Sequence, residues 1–344
     1  MVQAAVIGLG KIGLMYDIVS SEGRPGTHAL AYHLHPEIDF AAAVGVRREQ
    51  GEHLAKLAPE AAFYLNTEEM LSRHKPDIVS ICTPAHVRYD LIKSVLEQSS
   101  APVLFCEKPV ARSIEEARRI SALMAAHKGR MLIPNLSRRW NEGTENVRAR
   151  IADRSFGTLK KMHLRYTRGI YNSGAHLFDL VRYFAGTIDE VQVIGQVPTS
   201  LDEQGDWTYR FLFKAGGGRI SGFAEAFDDR DDYYIFEMDL FFDRGKIEIR
   251  DSGDVIRYFG VEEHPHLKPL HLLRLDREDE GMLAKSNNMQ NAVAHLVDVL
   301  VRKAQPVCAL EDATYPLYVA EALIRSNDNG GIGVPVGETK TRSI

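Results

Sequence analysis

The chain has 344 residues, of which 44% are apolar and 26% charged, with a formal net charge of -5. That length exceeds one ordinary core and predicts two domains, and an acidic balance without long basic runs argues against nucleic acid as a partner. No run of about eighteen apolar residues is present, so a membrane span is not expected.

The N-terminus enters an apolar strand at once, so no secretory leader is expected. Cys82, Cys106 and Cys308 are few and scattered, with neither a disulfide framework nor zinc spacing. A cytoplasmic protein with reduced thiols is the expectation.

The first strand, Ala4-Ala5-Val6-Ile7, leads directly into Gly8-Leu9-Gly10-Lys11-Ile12-Gly13, and a helical pattern follows. Three glycines alone carry little weight. Placed between an apolar strand and a helix they are the dinucleotide-binding order: a tight turn at Gly8, close approach of a pyrophosphate to Gly10, and helix-strand packing at Gly13. Residues 8–13 are therefore expected to hold a cofactor. Beyond a breaker cluster, Ser20-Ser21-Glu22-Gly23-Arg24-Pro25-Gly26, a second helical piece runs from Thr27 to His35. His28 lies within reach of a substrate, but a helix-start or surface histidine is the plainer reading.

Residues 38–46 form the second strand and end in Arg47-Arg48, with no carboxylate before Glu49. A cofactor-binding unit that prefers NAD places an acid there for the ribose 2'-hydroxyl. The arginines instead predict a preference for NADP(H), with Arg47 or Arg48 on the 2'-phosphate and NAD(H) as the alternative. Pro76 to Cys82 is the next strand, and Thr83-Pro84-Ala85-His86 is the turn at its end. Turns at carboxyl ends of parallel strands line the ligand crevice, so Cys82, Thr83, Pro84 and His86 are expected cofactor contacts. The Cys82 thiol itself reads as a small buried group and not a nucleophile.

Pro102 to Cys106 is a further strand, followed by Glu107-Lys108-Pro109 and a helix opened by the capping box Ser113 to Glu116. A lysine at that strand end sits where a nicotinamide ring should lie. Its ammonium can hydrogen-bond a substrate oxygen, and partial burial would lower its pKa toward a useful range.

These motifs resemble those of the glucose-fructose oxidoreductase / inositol dehydrogenase / MocA family of NAD(P)-dependent oxidoreductases. The resemblance rests on Gly8 to Gly13, on Thr83-Pro84 with His86, and above all on Glu107-Lys108-Pro109. It extends to Asn135 with Arg138-Arg139-Trp140, to Phe156-Gly157-Thr158-Leu159, and to the Gly174-Ala175-His176-Leu177-Phe178-Asp179 helix. The resemblance implies that Lys108 and His176 flank the substrate carbon that exchanges hydride with the nicotinamide. It also implies that Glu107, Pro109 and Asn135 belong to the cofactor site, and Arg139, Trp140 and Asp179 to the substrate site; Arg165 is added to the substrate site on its charge alone. One departure matters: many members carry Asp four residues before the histidine, where this chain has Asn172. An amide orients a hydroxyl but takes no proton, so proton transfer would fall on His176.

The fold expected is α/β, with an NAD(P)-binding Rossmann domain over residues 1–128. An α+β domain over 129–344, built on a large open, mostly antiparallel sheet, would bind substrate and mediate oligomerisation. Its strands are expected at 159–167, 191–196, 207–213 and 219–226, with a hairpin of 236–242 and 246–250. The helix after Gly174 places His176, Asp179 and Tyr183 on one face and Leu177, Val181 and Phe184 on another. His264-Pro265-His266 lacks the further ligands that a metal site needs, so no metal is expected. Two helices, 291–303 and 311–326, precede a Gly-rich tail from Gly330.

Function is expected to be hydride transfer between NADP(H) and a secondary alcohol or ketone of a sugar, cyclitol or nucleotide sugar, in a homodimer or homotetramer. Lys108, His176 and Asn172 are the expected catalytic residues. Arg139, Arg165 and Arg168 are candidates for an anionic substrate. Two rivals share the fold: a nonenzymatic NADP-binding regulator, and an NAD-dependent glycoside hydrolase.

Overall fold

The computed structural model describes residues 1–19, 24–199 and 206–337. Residues 20–23 of the breaker cluster and the tail from 338 lie outside the described residues. The chain forms two compact units: Met1–Trp140 with Asn287–Thr314, and Asn141–Ser286 with the chain from Tyr315 onward.

The first unit is built on β1 (Val2–Ile7), β2 (Ile38–Val44), β3 (Ala62–Tyr64), β4 (Ile78–Ile81), β5 (Val103–Cys106) and β6 (Met131–Pro134). They form one sheet in the order β3-β2-β1-β4-β5-β6, parallel at every pairing. Strands β4 and β5 are buried along their whole length, as a parallel sheet covered on both faces requires. This explains their unbroken apolar runs. The helix His28–Leu34 is capped by Thr27, whose hydroxyl accepts from Leu30 N and itself donates to Asp17 Oδ2 at 2.6 Å.

The chain also returns to this unit late. The helix Asn288–Val297, capped by Asn287, buries Met289, Ala292, Val293, Leu296 and Val297 in the same core as Val6, Ile78 and Phe105. Its apolar stripe was legible in the sequence, but a division at residue 128 assigns it to the other half. With β6 in the first sheet, the first unit runs to Trp140 before the chain leaves it.

The second unit holds β7 (Leu159–Tyr166), β8 (Ile188–Pro198), β9 (Trp207–Ala215), β10 (Ile220–Ala226), β11 (Phe236–Phe242), β12 (Gly245–Arg250), β13 (Val255–Glu263), β14 (His271–Asp279) and β15 (Val334–Pro335). Their order is β14-β13-β12-β11-β7-β10-β9-β8-β15, antiparallel except where β10 meets β7. One face packs Met162, Leu164, Phe211 and Leu240 against Leu177, Val181 and Leu323 of the helices Gly174–Ala185 and Leu310–Asp328. The opposite face carries an ionic ladder in which Arg165 pairs with Glu237 and Asp239, each at 2.9 Å, while Lys246 and Arg250 engage Glu248.

Where the last rung between β9 and β10 ends at Phe211↔Ala224, Tyr209 needs other partners. The buried Tyr166 hydroxyl donates to Tyr209 O at 2.8 Å and accepts from Tyr209 N at 3.0 Å, satisfying both backbone groups. Tyr166→Phe leaves that pair unmet and is expected to cost about 1–3 kcal/mol in denaturant unfolding. A loss below roughly 0.5 kcal/mol would show that the hydroxyl is dispensable.

Candidate active site

At the end of β1, Gly8 has φ +102°, and a side chain there would lie 2.9 Å from Cys82 C and Thr83 Cγ2. A Cβ on Gly13 would come within 2.0 Å of Gly8 O, so the helical segment starting at Lys11 sits directly on the turn. Gly10 differs from both: it is exposed, and nothing lies within 4 Å of where its Cβ would stand. That open approach to backbone is what a pyrophosphate needs.

Two further features frame this turn. Gln50, buried in the helix Arg48–Leu57, donates to Leu9 O at 2.7 Å and accepts from Val46 N and Arg47 N at 2.8 and 3.1 Å. It locks the end of β2, and with it the exposed Arg47 and Arg48, to the glycine turn. Across the turn, Thr83 Oγ1 is buried without a hydrogen-bond partner. A buried hydroxyl left unmet beside an open backbone cradle fits a polar ligand in the crevice. The residues present fit a dinucleotide.

At the end of β5 the Glu107 side chain turns inward. Its Oε1 accepts from His28 Nε2 at 2.9 Å and Asn135 Nδ2 at 2.6 Å. His28 Nδ1 lies 2.9 Å from Ser80 Oγ, which is 2.6 Å from the Tyr32 hydroxyl, and Trp140 Nε1 donates to Asn135 Oδ1. One consistent set of donors runs from Tyr32 to Ser80, from Ser80 to His28, and from His28 to Glu107. Burial alone would raise the Glu107 pKa, but the hydrogen bonds from His28 and Asn135 and the nearby Arg88 charge hold the carboxyl below its usual value.

With Glu107 directed inward, the next side chain, Lys108, is left half-buried. Burial holds its ammonium below the ordinary lysine value, helped by Arg138 and Arg88 and opposed by Glu107. Burial also pushes the Cys82 thiol well up and that of Cys106 up to about 12, so neither is a thiolate nucleophile.

In the second unit, β7 ends in a left-handed turn, Arg168 (φ 65°) and Gly169 (φ 72°), and a wide helical turn Gly169–Ser173 runs into the helix Gly174–Ala185. Thr208 Oγ1 accepts from Gly169 N at 2.8 Å, and Asp206 Oδ1 accepts from Ile170 N at 2.9 Å. A Cβ on Gly169 would collide with the Asp206 carboxylate at 2.0 Å, so only glycine fits. These contacts fix the segment bearing Asn172 and His176, both half-buried, with Asp179 buried one turn further on.

Several expected contacts have other roles. Arg139 is 3% exposed and is taken up by Asp312 at 3.2 Å and Val307 O at 3.1 Å. Trp140 is a core residue packed near His295, and Arg165 belongs to the sheet-face ladder. Arg168 pairs with Asp229 at 3.4 Å. The three arginines read as an anion clamp are thus each neutralised in place. Glu107 and Asn135 are buried and hydrogen-bonded to each other, and the Cys82 Cβ lies behind Gly13. His28 is neither exposed nor a substrate contact but fully buried. Gln50, Arg88, Asp206 and Thr208 escaped notice in the sequence. Only Arg88 left a signal, a cation at a helix start, where the dipole disfavours it. Among the described residues no cluster of three or more metal-ligating side chains occurs, and no helix is long and apolar enough to cross a membrane.

A six-stranded parallel sheet in this order, with a glycine elbow after its first strand, defines a nicotinamide-nucleotide-binding domain of the Rossmann type. Residues 2–135 match the model of an oxidoreductase family with an NAD-binding Rossmann fold, Gfo/Idh/MocA.

D-glucoside 3-dehydrogenase of Escherichia coli is 25% identical over 172 residues, covering 50% of this chain and 44% of that protein. The matches span less than half the length of the curated relatives. An oxidoreductase domain protein from Kribbella flavida superposes with a TM-score of 0.78 at 18% identity, covering 98% of this chain and 100% of the other. A levoglucosan dehydrogenase in complex with NADH and levoglucosan gives 0.77 at 14% identity, with the same coverage. At these identities the superpositions show the fold alone.

The depressed pKa of Lys108 has a stability consequence. Below its folded pKa the charged lysine opposes folding, and the penalty fades as pH rises toward the unfolded value of 10.5. Lys108→Met is therefore expected to raise the thermal midpoint at pH 7, with the gain shrinking toward pH 10. A variant no more stable than the parent at pH 7 would count against a stability cost from the buried ammonium.

Proposed function

We propose that the protein is a cytoplasmic, NADP(H)-preferring dehydrogenase or reductase. Its substrate is a secondary alcohol or ketone of a sugar, cyclitol or nucleotide-linked sugar. The observation that carries this reading is Lys108, a half-buried ammonium of depressed pKa at the carboxyl end of β5, two strands along from the open glycine cradle. The E. coli glucoside 3-dehydrogenase supports a sugar hydroxyl as the reacting group.

In this reading the residues 8–13 receive the pyrophosphate, and Thr83, Pro84, His86 and Pro109 line the crevice. Arg47 or Arg48 meets the 2'-phosphate, since both are exposed at the end of β2 with no carboxylate in the place an NAD-preferring site would use. A bound nicotinamide nucleotide supplies or accepts the hydride. Lys108 stabilises the developing alkoxide, His176 takes or returns the hydroxyl proton, and Asn172 orients the ring by donating and accepting. Asp179, one turn along from His176 on the same helix face, fixes the imidazole or the helix start.

A panel of polyols, sugars and nucleotide sugars, followed at the nicotinamide absorbance with NADP and NAD in parallel, tests this directly. On any substrate turned over, Lys108→Ala and His176→Ala are each expected to lose about 10²–10⁴-fold in kcat, with a double variant little worse than either. Losses that simply multiply would mean that the two groups do not act as one unit. Tighter binding of NADH than NADPH would refute the cofactor preference.

The open face of the nine-stranded sheet, with Phe223, Phe241 and Phe259 among its charged rows, is the surface by which we expect a homodimer or homotetramer to form. Sedimentation of the purified chain as a monomer at micromolar concentration would exclude that assembly.

A further inference from the structure

Arg88 takes no part in the chemistry above, yet its placement is unusual. It opens the helix Arg88–Gln98, where the helix dipole disfavours a cation, and it is 5% exposed. Its four hydrogen bonds all run to backbone carbonyl oxygens. Nε and Nη2 donate to Thr83 O at 2.9 and 2.6 Å, and Nη1 donates to Glu107 O at 2.7 Å and to Pro109 O. Those oxygens belong to two turns that end different strands: the Thr83-Pro84 turn after β4 and the Glu107-Lys108-Pro109 turn after β5. Lys108 stands between two of the bound carbonyls.

We propose that Arg88 is a positioning residue of the active site, a planar staple that sets the separation between the turn carrying Thr83 and the turn carrying Lys108. The proposal rests on the dehydrogenase reading of this crevice. The ladder bonds of β4 and β5 stop at Ile81↔Cys106, so beyond that rung the two turns lack sheet pairing to hold them together. A guanidinium has donors on both edges of a rigid plane and reaches both turns at once. An ammonium is a point donor on a flexible stem, and a neutral side chain would leave three carbonyls unmet in a buried place. The buried positive charge has a second effect, because the charged groups that act on Lys108 are Glu107, Arg138 and Arg88. Arg88 therefore both places the ammonium and disfavours its protonation.

Full-length wild type, Arg88→Lys and Arg88→Ala would be compared by two readouts. One is the Kd for NADPH by nucleotide fluorescence. The other is the pH dependence of Lys108 modification by trinitrobenzenesulfonate, followed by peptide mass spectrometry. Both variants are expected to bind NADPH about tenfold more weakly, the loss of roughly one charge-assisted hydrogen bond. In Arg88→Ala the Lys108 labelling midpoint moves to higher pH, and dilute guanidinium chloride restores part of both properties. In Arg88→Lys, which keeps the charge and the buried stem, the midpoint stays near that of the wild type while the affinity still falls. If Arg88→Ala does not fold, the affinity of Arg88→Lys decides.

Wild-type affinity together with a wild-type Lys108 profile in the variants overturns the proposal. So does a loss in Arg88→Ala that tracks only a lowered thermal midpoint and is not rescued by guanidinium. Should the wild type bind neither NADPH nor NADH, the cofactor reading fails, and the Lys108 profile alone still judges the staple.

Discussion

Glu107 is a carboxylate buried at the end of a central strand, and the crevice around it is arranged by the need to satisfy that charge. An unpaired carboxylate out of water costs several kcal/mol, so Oε1 must be met by donors from elsewhere in the fold. His28 comes from the helix after the glycine elbow, and Asn135 follows the last strand of the sheet. Ser80 and Tyr32 fix the far side of the imidazole, and Trp140 fixes the amide. The result is a polar spine running through an otherwise apolar core. Because each member holds the next in one orientation, the spine sets which way residue 107 points, and hence which way residue 108 does.

That arrangement costs some stability. An ammonium beside the spine is partly desolvated and keeps its charge at a cost, which is the state a group needs if it is to stabilise a developing alkoxide without first shedding water. A preorganised cation of this kind is useful only if the backbone beneath it does not move. The inward Glu107 side chain and the Arg88 guanidinium on the flanking carbonyls restrain that backbone from two directions. The segment after β7 in the second unit is held by a different device. Gly169 lets the chain pass within contact of Asp206, and Thr208 takes up its amide, so the segment bearing Asn172 and His176 is clamped by backbone contacts before the helix begins.

Local patterns carried much of this. The order of apolar strand, glycine turn and helix was enough to place β1 and the elbow, because backbone geometry at Gly8 and Gly13 admits no side chain. The hairpin of β11 and β12 was legible from the turn residues between two alternating runs, and the stripes of the late helices from their apolar spacing. Strands β3 and β15 were missed because they are two or three residues long. Strand β14 was missed because it lies exposed at a sheet edge, with Arg274, Asp276, Arg277 and Glu278 masking any alternation. The arginines 139, 165 and 168 looked like ligands for an anion, since a cation's partner in the fold cannot be found from its neighbours in sequence. Asp312 lies 173 positions beyond Arg139, and Glu237 lies 72 beyond Arg165.

By itself the sequence determined the class of the first unit and the chemical types available at the crevice, because those follow from short-range rules: period, turn chemistry and the steric demands of glycine. Only the tertiary structure decided which polar residues are buried with partners and which stay open to solvent, since burial and hydrogen-bond partnership depend on residues that meet through folding. It also decided that a helix near residue 290 completes the core begun at residue 2, for an apolar stripe specifies that something must cover it but not what.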